Sequence, residues 1–579
     1  MKTLTFWTQV ILLALLVTGC RQDDILELNN EEALAEQATA PQARIAEGVI
    51  PFTIENVKKA LPAVLDYYRK NRPEVAKRFA DYKVTTTHLY YKFNPQDSLQ
   101  YARLMEADET LQLTNDRFEY TPKERTDDPK EDEIPEFYAI AEAGYRVPDV
   151  PREVIAELHF TDEDKLEDIP VNYDEVEFKQ NLMYETRKIA GHLDDEELKE
   201  GYINYREGFE KDAKSENGAV ATRGLFGKKW RPTGTVHVED DWLSERRNAQ
   251  VNLPVYRAEV NVLKWGYLRI DKGSTNQSGY FSTGTTYTKN VHYNVKFTDF
   301  YKVKVRPGNF FAIANWKSGN HKRRPLQVTF VRNTVHQFYA LINNAAWDYF
   351  DRVVPTYGVY NPGSIEISGH YNDHKSNYWF GWIPFRSEVK IGGKYKDGSR
   401  KRSDAVYATV IHEITHKGHY KMDSQAFNSI AGSGAKHKKF LRESWAKCVE
   451  THATNDKYRQ LFNQFDLGNY IASNLSNDIY SSYVIRTWGG DRQLRTVAEQ
   501  NEYSEALIDL MDHYNQRSWS STLPDDRVQG YTLNQIQTAL NNSHTVNAFF
   551  DKLRLLYFNS TENNLQPIQD YANTIVNDL

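Results

Sequence analysis

The spacing of hydrophobic and polar residues changes several times along the chain, and the first change marks an N-terminal region of residues 48–222. Apolar positions recur with helical spacing over 54–79 and then alternate as in a strand over 87–93. Residues 116–120 are predicted to form a further strand, and the charged stretch 185–214 is predicted to be helical. This mixture predicts an α+β region.

Residues 223–306 change to a pattern of short strands. Apolar and polar positions alternate at 233–238, 254–262 and 291–297, and a turn-forming stretch at 275–282 leads into a further strand. Several short strands at this spacing are typical of two packed sheets, so we predict a small β-sandwich.

From 323 to 579 the pattern is mainly helical. A helix is predicted over 331–354 and ends at Pro355, because proline cannot continue the helical hydrogen bonding. Two or three strands are predicted within 365–395, directly before another helix at 404–420. The whole chain is therefore predicted to be a multidomain α+β protein, whose last domain has a small sheet before a central helix.

That central helix contains His412, Glu413 and His416 in the pattern H-E-x-x-H. Histidines four residues apart lie one above the other on one helix face, so both imidazoles can bind one zinc ion. The neighbouring glutamate can then act as general base toward a water molecule. Ser403 or Asp404 is predicted to cap the helix. The pattern predicts a zinc site.

A catalytic zinc site needs a third protein ligand and an open position. The helical stretch 440–452 offers two glutamates, Glu443 and Glu450, which lie two turns apart on one face. Either one is a candidate for the third ligand. His419 is a further candidate, but it follows Gly418 near the predicted helix end, where a histidine is favoured by the helix dipole.

H-E-x-x-H followed by E-x-x-A, here Glu443-Ser-Trp-Ala446, resembles the gluzincin metallopeptidases, which include the thermolysin-like and M1-aminopeptidase-like enzymes. The resemblance implies a thermolysin-like domain in which Glu443 is the third ligand and Glu450 supports a zinc-bound histidine. It also implies hydrolysis of peptide bonds with Glu413 as general base. A tyrosine or histidine from later helices would stabilise the oxyanion, and the candidates are Tyr480, Tyr483, His452 and Tyr503.

The chain departs from the gluzincin pattern at two places. The interval between His416 and Glu443 is longer than is usual in that group, and we predict an inserted loop over 421–437. Lys447 stands where thermolysin-like enzymes have an aspartate. Separately, the strands of 223–306 resemble the carboxypeptidase regulatory-like sandwich, a transthyretin-like fold, which implies a spacer, a docking face or a substrate-binding accessory.

The first 19 residues have a charged start and a short apolar core, which predicts a secretory signal peptide. The end of this segment, Val17-Thr-Gly-Cys20, resembles a bacterial lipobox, and the resemblance implies cleavage before Cys20 and lipidation of its side chain. Residues 20–47 are polar and are predicted to be a flexible tether. No aspartate stands directly after Cys20, so we expect a lipid-anchored protein of the bacterial outer membrane, facing the cell surface.

The formal net charge of −7 argues against nucleic acid as a partner. There are two cysteines, Cys20 and Cys448, so no disulfide framework is predicted, and Cys448 is expected to pack as a small apolar residue. We expect a zinc metallopeptidase that acts on a peptide or protein. The alternative is a surface binding or adhesion lipoprotein, in which the sandwich and the N-terminal region bind a partner and the zinc domain is a scaffold.

Overall fold

The protein is described by a computed structural model, in which the helices and strands form a multidomain α+β architecture. The described residues are 48–120, 134–166, 173–205, 229–309, 311–378, 388–428, 433–467, 506–511 and 523–578, with 515, 517 and 521. The predicted signal peptide, the tether and Cys20 lie outside these residues. Within them, no helix has the length and apolar character needed to cross a lipid bilayer.

The N-terminal region is a three-stranded antiparallel sheet flanked by helices, with strand order β2-β1-β3. Its elements are α1 (Ile54–Asn71), α2 (Pro73–Arg78), β1 (His88–Phe93), α3 (Ser98–Glu106), α4 (Asp108–Leu111), β2 (Phe137–Glu142), β3 (Arg152–Leu158), α5 (Tyr173–Ile189) and α6 (Asp195–Glu200). Helix α1 packs against α5, and Thr53 caps α1 by accepting a hydrogen bond from the Asn56 backbone N–H.

Two predictions for this region are wrong. Residues 116–120 form bends and turns rather than a strand. The Glu119 carboxylate is buried and accepts a hydrogen bond from the Tyr90 hydroxyl. The Glu119 backbone carbonyl accepts from the Gly48 N–H, so it does not take part in strand pairing. The single helix predicted over 185–214 is instead two helices within the described residues: α5 begins earlier, at Tyr173, and ends at Ile189, just before Gly191 adopts a positive φ of 71°, and α6 follows. Residues 206–214 lie outside the described residues.

The sandwich consists of two facing sheets that share one apolar core. One sheet has the order β11-β9-β6-β7, with β12 beside β9, and the other has β13-β4-β5, with β8 beside β4. The strands are β4 (Thr233–Glu239), β5 (Asn252–Pro254), β6 (Glu259–Lys264), β7 (Leu268–Ser274), β8 (Tyr280–Ser282), β9 (Asn290–Lys296), β11 (Asn315–Lys317), β12 (His321–Lys322) and β13 (Leu326–Phe330), with α7 (Asp241–Arg247) between β4 and β5.

The predicted boundary at residue 306 does not match the strand pairing. Strands β11, β12 and β13 follow that residue and belong to the sandwich, whereas β10 (Val303–Arg306) precedes the boundary and pairs in the sheet of the last domain. Alternating side chains identify a strand but carry no information about which strand it pairs with. The sequence therefore located the strands but not the limit of the sandwich.

The last domain contains a mixed sheet of order β10-β14-β16-β15, packed against helices. Strands β10, β14 and β16 run parallel, and the short β15 is antiparallel to β16. The remaining elements are α8 (Val335–Asp348), α9 (Val354–Tyr357), β14 (Ile365–His370), β15 (Asn377–Tyr378), β16 (Val389–Gly392), α10 (Ser403–Met422), α11 (Ser433–Gln464), α12 (Leu533–Leu540), α13 (Val546–Leu556) and α14 (Leu565–Asp578).

The helix predicted to end at Pro355 continues past it. Helix α8 passes through one π-helical segment, Tyr349–Val353, into α9, which ends at Gly358 with a φ of 65°. Pro355 lies in the first turn of α9, where the missing N–H of proline costs no helical hydrogen bond. The wider turn before it absorbs the proline, and the helical segment extends to Tyr357.

The sandwich and the last domain share a continuous apolar core, so their relative position is set by packing. Trp242 on α7 is fully buried, and its ring lies 4.8 Å from the ring of Tyr458 and 5.2 Å from that of Phe462, both on α11. The N-terminal region joins the sandwich through an apolar cluster that includes Phe52 and Tyr267, and through a buried ion pair between Lys264 and Glu163.

Candidate metal centre

Helix α10 carries the H-E-x-x-H residues. It begins at Ser403, so Ser403 lies inside the helix and is not its N-cap. Ser403 is the first helical residue, Asp404 is the second, and Arg402 precedes them without a side-chain cap. The Ser403 N–H donates to Asp241 Oδ1 at 2.8 Å, and the Ser403 hydroxyl contacts the same oxygen. The predicted cap is therefore wrong, because the first turn of α10 is anchored by an acidic residue of α7.

Three potential ligand atoms converge between α10 and α11. The Nε2 atoms of His412 and His416 lie 3.1 Å apart. Glu443 Oε2 lies 3.1 Å from His416 Nε2 and 3.5 Å from His412 Nε2. The side chains of His412 and Glu443 retain 13% and 15% exposure, so one side of this triangle is accessible to solvent.

These three atoms fit a divalent metal ion. In tetrahedral coordination with bonds of about 2.0–2.1 Å, neighbouring ligand atoms are separated by about 3.3–3.4 Å. The observed edges of 3.1, 3.1 and 3.5 Å bracket that value. Two imidazole nitrogens and one carboxylate oxygen leave a fourth tetrahedral position free, which is the arrangement of catalytic rather than structural sites.

Glu450, the other candidate for the third ligand, lies behind His412. Its Oε2 lies 2.9 Å from His412 Nδ1, and its Oε1 contacts the Lys447 ammonium. A carboxylate on Nδ1 keeps the proton on that nitrogen, so the Nε2 lone pair of His412 points into the triangle. The structure thus brings Glu443 into the ligand set and places Glu450 as the support of one ligand.

Lys447 and Arg442 place positive charge beside the two glutamates. Lys447 is buried and contacts Glu450, at the position where the gluzincin pattern has an aspartate. Arg442 Nε donates to Glu443 Oε1 at 3.2 Å, which leaves Oε2 free to face the histidines. The pKa of Glu443 is well below its usual range, with burial opposing and the two histidines lowering it. The gluzincin resemblance had placed Lys447 at this position, whereas Arg442 was not predicted to belong to the site.

Glu413 follows the first ligand histidine and is 6% exposed. Burial raises the pKa of Glu413 to about 7, while the positive charges of His412 and Lys401 act in the opposite direction. Its carboxyl group is therefore held beside the ligand triangle in an environment where it can exchange a proton near neutral pH, as a general base must.

The two ligand helices are joined by a shorter connection than the loop predicted over 421–437. Helix α10 ends at Met422, a 3₁₀ turn occupies Ser424–Phe427, and α11 begins at Ser433. Asp423 starts this turn, because its Oδ1 accepts from the N–H groups of Gln425 and Ala426. Its Oδ2 accepts from Asn542 N at 2.9 Å and lies 3.0 Å from His544 Nε2, so it also binds the C-terminal segment.

The other predicted site residues lie apart from the triangle or outside the described residues. His419 is buried, its ring centre lies 5.2 Å from that of Phe427, and within the described chain neither ring nitrogen has a hydrogen-bond partner. Burial lowers its pKa to about 3. The His452 ring lies against Tyr357 at 4.6 Å. The remaining oxyanion candidates, Tyr480, Tyr483 and Tyr503, lie outside the described residues.

Lys401 is a site residue that the sequence analysis missed. It lies two positions before α10, and its Nζ is 3.3 Å from the Thr409 hydroxyl oxygen on that helix. The only sequence signal was a basic run, Arg400-Lys-Arg402, at the start of the helix, which is ordinarily interpreted as solvent-exposed charge. Cys448, in contrast, behaves as predicted: it is fully buried within the apolar core and is in no disulfide.

A scan against protein-family models finds no match for this chain, and a search of curated proteins also finds none. The relation to the gluzincins and to the regulatory-like sandwich therefore stays a prediction, and the function must be argued from the site itself.

Proposed function

We propose that this protein is a zinc-dependent peptidase in which His412, His416 and Glu443 hold the metal and Glu413 is the general base. The observation that carries the proposal is the triangle of His412 Nε2, His416 Nε2 and Glu443 Oε2, with edges of 3.1–3.5 Å. Other transition metals accept the same nitrogen and oxygen ligands, and zinc is proposed because its tetrahedral preference suits three ligands and one open position.

The chemistry of the site follows from the residues around that position. A zinc ion bound there would lower the pKa of a water molecule and polarise the substrate carbonyl. Glu413 takes the proton of the attacking water and transfers it to the leaving amine, a role that requires a carboxylate next to the ligand set. Glu450 and Lys447 keep His412 in the tautomer that faces the site.

Strand β15 offers a place for an extended peptide. It pairs with β16 on one side, and in the described part of the chain it is the last strand of its sheet. It also packs beside α10, the helix that carries Glu413. A substrate backbone that pairs with this strand would lie along the ligand helix, which is how many proteins bind peptides.

The test is the variant Glu413→Gln, assayed against a library of fluorescence-quenched peptides. The variant should keep the metal content of the parent, measured by plasma mass spectrometry, and lose turnover by about 10²–10⁴-fold, because only proton transfer is removed. The matched control is Glu55→Gln, an exposed glutamate on α1, which should cleave like the parent. Near-parental cleavage by Glu413→Gln, or parental cleavage that survives a chelator, would reject the mechanism.

We further propose that the enzyme is lipid-anchored through Cys20 at the outer membrane and acts at the cell surface. The proposal rests on the signal sequence and its Val17-Thr-Gly-Cys20 ending. Cys20→Ala should release the protein from the membrane fraction. Proteases added to intact cells should degrade the parent, and complete protection would contradict the surface orientation.

One observation favours the second candidate function, a binding protein. A cavity of about 280 Å³ lies between the N-terminal sheet and the sandwich, and such junctions are common ligand sites. Its lining includes Phe118, Tyr267, Asn294 and Lys317, and burial lowers the pKa of Lys317 to about 8. If Glu413→Gln and the parent were equally inert on every peptide, while small anions raised the thermal stability of the parent but not of Lys317→Met, the binding function would replace the peptidase.

A further inference from the structure

Lys401 places an ammonium group at the wall of the candidate active site. Its Nζ lies 3.4 Å from the Ser376 hydroxyl oxygen, immediately before β15, and 3.3 Å from Thr409 Oγ1 on α10. The side chain thus spans the groove between the last strand of the sheet and the helix that bears Glu413. A substrate held by β15 would pass this ammonium.

The hydrogen-bond partners of this ammonium in the described part of the chain are two neutral hydroxyls. Both contacts are long, since a charged N–H group usually bonds an oxygen at about 2.7–2.9 Å. Thr409 donates its own proton to Ala405 O, and Ser376 accepts from Gly392 N. An ammonium has three protons, so this arrangement leaves capacity for a stronger acceptor.

Lys417, which lies on α10, is an example of a lysine with a structural role in this domain. It is buried, and its ammonium contacts the Glu388 carboxylate and the Ser364 carbonyl. Its charge is neutralised by the protein itself.

Lys401 is half-buried, and its direct partners carry no charge. Burial lowers its pKa to about 8, while the more distant carboxylates of Glu413, Glu450 and Asp373 act in the opposite direction. The cost of holding such a cation is recovered when an anion binds.

The position of Lys401 indicates which part of a substrate it meets. Thr409, its contact on α10, precedes Glu413 by one helical turn, so both side chains lie on one helix face. Glu413 is also the acid whose charge acts most strongly on Lys401. Because Glu413 delivers its proton to the leaving amine, the part of the substrate that follows the scissile bond lies on this side.

We infer that Lys401 forms a carboxylate-binding subsite for the part of the peptide that follows the scissile bond. The carboxylate is either the free C-terminus of the peptide or the side chain of an aspartate or glutamate after the cleaved bond. This inference rests on the proposed peptidase function and specifies its substrate class. Hydrogen bonds to charged groups contribute about 1.5–3 kcal/mol, which corresponds to roughly 10- to 150-fold in substrate preference.

The test uses three versions of one peptide that the parent cleaves, with all cleavage products identified by mass spectrometry. In the first peptide, the residue that follows the cleaved bond is the last one and has a free carboxylate. The second peptide is amidated at that residue. The third is also amidated but has aspartate as that residue. The parent should cleave at least one carboxylate version about 10- to 100-fold faster in kcat/KM than the neutral one. The faster version identifies the source of the carboxylate.

Lys401→Met should remove that preference, so that its kcat/KM values for the carboxylate and neutral peptides become nearly equal, while its metal content stays near parental. Lys401→Arg should retain part of the preference, because it keeps the charge. Lys396→Met, an exposed lysine in the turn before α10, is the matched control and should behave like the parent. Equal rates on all three peptides, or a preference that survives in Lys401→Met, would overturn the inference while leaving the peptidase proposal intact.

A binding measurement keeps the inference testable if no peptide is cleaved. Calorimetry would compare Ala-Phe with its amide on the zinc-loaded parent and on Lys401→Met. At least 10-fold tighter binding of the free acid, lost in the variant, supports the subsite. Equal affinities for acid and amide, together with equal affinities for Asp-Phe amide and Ala-Phe amide, reject it, and the absence of any chelator-sensitive cleavage would separately reject the peptidase function.

Discussion

Two buried clusters of charge in this protein differ in whether the chain completes them. At the junction of the N-terminal region and the sandwich, Lys264 contacts Glu163 and lies 3.1 Å from Asp164 Oδ2. Asp164 Oδ1 also accepts from the Thr286 hydroxyl at 2.6 Å and the Tyr287 N–H at 2.8 Å. Here a cation and its acceptors are all supplied by the protein.

The candidate metal centre gathers acceptor atoms that face one another. Two imidazole nitrogens and one carboxylate oxygen face each other, and the basic residues Lys447 and Arg442 contact the outer oxygens of the glutamates. A cluster in which the chain supplies both the charges and their counter-charges holds domains together. A cluster of converging acceptor atoms is suited to bind a cation. The arrangement of buried charges, rather than their number, therefore distinguishes a structural cluster from a candidate binding site.

The largest expected effect concerns the closed cluster. Lys264→Met leaves Glu163 and Asp164 without their cation, and it should lower the free energy of unfolding by about 3–5 kcal/mol. Chemical denaturation would measure this loss. The double variant Lys264→Met/Glu163→Gln should recover part of it, because one uncompensated charge is removed. Unchanged stability in the single variant would show that the junction does not depend on this ion pair.

Metal removal should act on the open cluster alone. When free zinc exceeds its dissociation constant about 100-fold, binding stabilises the folded state by about 2.7 kcal/mol, so a chelator should lower the melting temperature of the parent. His416→Asn should show no zinc-dependent shift. His419→Gln, a variant of a buried histidine on the same helix, should retain the shift and serves as the control. A shift that disappears in His419→Gln and persists in His416→Asn would contradict the ligand set.

The next effect separates the two glutamates of α11. Glu450→Gln removes the carboxylate behind His412 and should weaken metal affinity by about 10- to 100-fold. Glu443→Gln removes a ligand and should abolish stoichiometric binding. Zinc titrations against a competing chelator would measure both affinities. The reverse order of effects would exchange the roles of the two residues.

The smallest effect is a pH dependence at a third buried carboxyl. Asp240 Oδ1 accepts from the Leu243 N–H at 2.9 Å and its Oδ2 from the Tyr458 hydroxyl at 3.0 Å, and burial raises its pKa to about 8. The folded state binds this proton more tightly than the unfolded state does, so stability falls as the pH rises from about 4 to about 8.

The expected slope from Asp240 is about 1.4 kcal/mol per pH unit between pH 5 and pH 7, which is the smallest of these effects when taken over a single pH unit. Denaturation curves at several pH values, compared between the parent and Asp240→Asn, would isolate this contribution. The variant should lose less stability than the parent over that range. If the free energies of unfolding of the parent and Asp240→Asn changed in parallel with pH, Asp240 would be ionised in the folded protein, which would contradict the raised pKa.

Local patterns predicted much of the fold, but not the relations between distant segments. The alternation at β4 and β9 and the helical spacing of α10 were predictable, since each depends on neighbouring residues. The exchange of β10 and β13 between domains was not, because strand pairing depends on contacts far apart in sequence. The helix end predicted at Pro355 was wrong because a π-helical segment, which has no simple sequence signal, continues the helix beyond the proline.

The same limit applies to the metal centre. Histidines four residues apart on one helix define a shared face, so His412 and His416 could be placed from spacing alone. Spacing alone does not decide between Glu443 and Glu450, because that choice depends on the rotation of α11 against α10; only the E-x-x-A resemblance implied Glu443. The polar contacts of Lys401 connect residues of a sheet and a helix, and only the folded chain brings them together.

Asp423 ties the geometry of the candidate centre to a distant part of the chain. Its carboxylate fixes the turn between the two helices that carry His412 and Glu443, and at the same time it binds Asn542 and His544 of the C-terminal segment. A chain without that segment would still have both histidines and both glutamates of the centre, but not the contact that secures their spacing. The four residues lie close together in the sequence, yet their spacing depends on a segment much further along the chain.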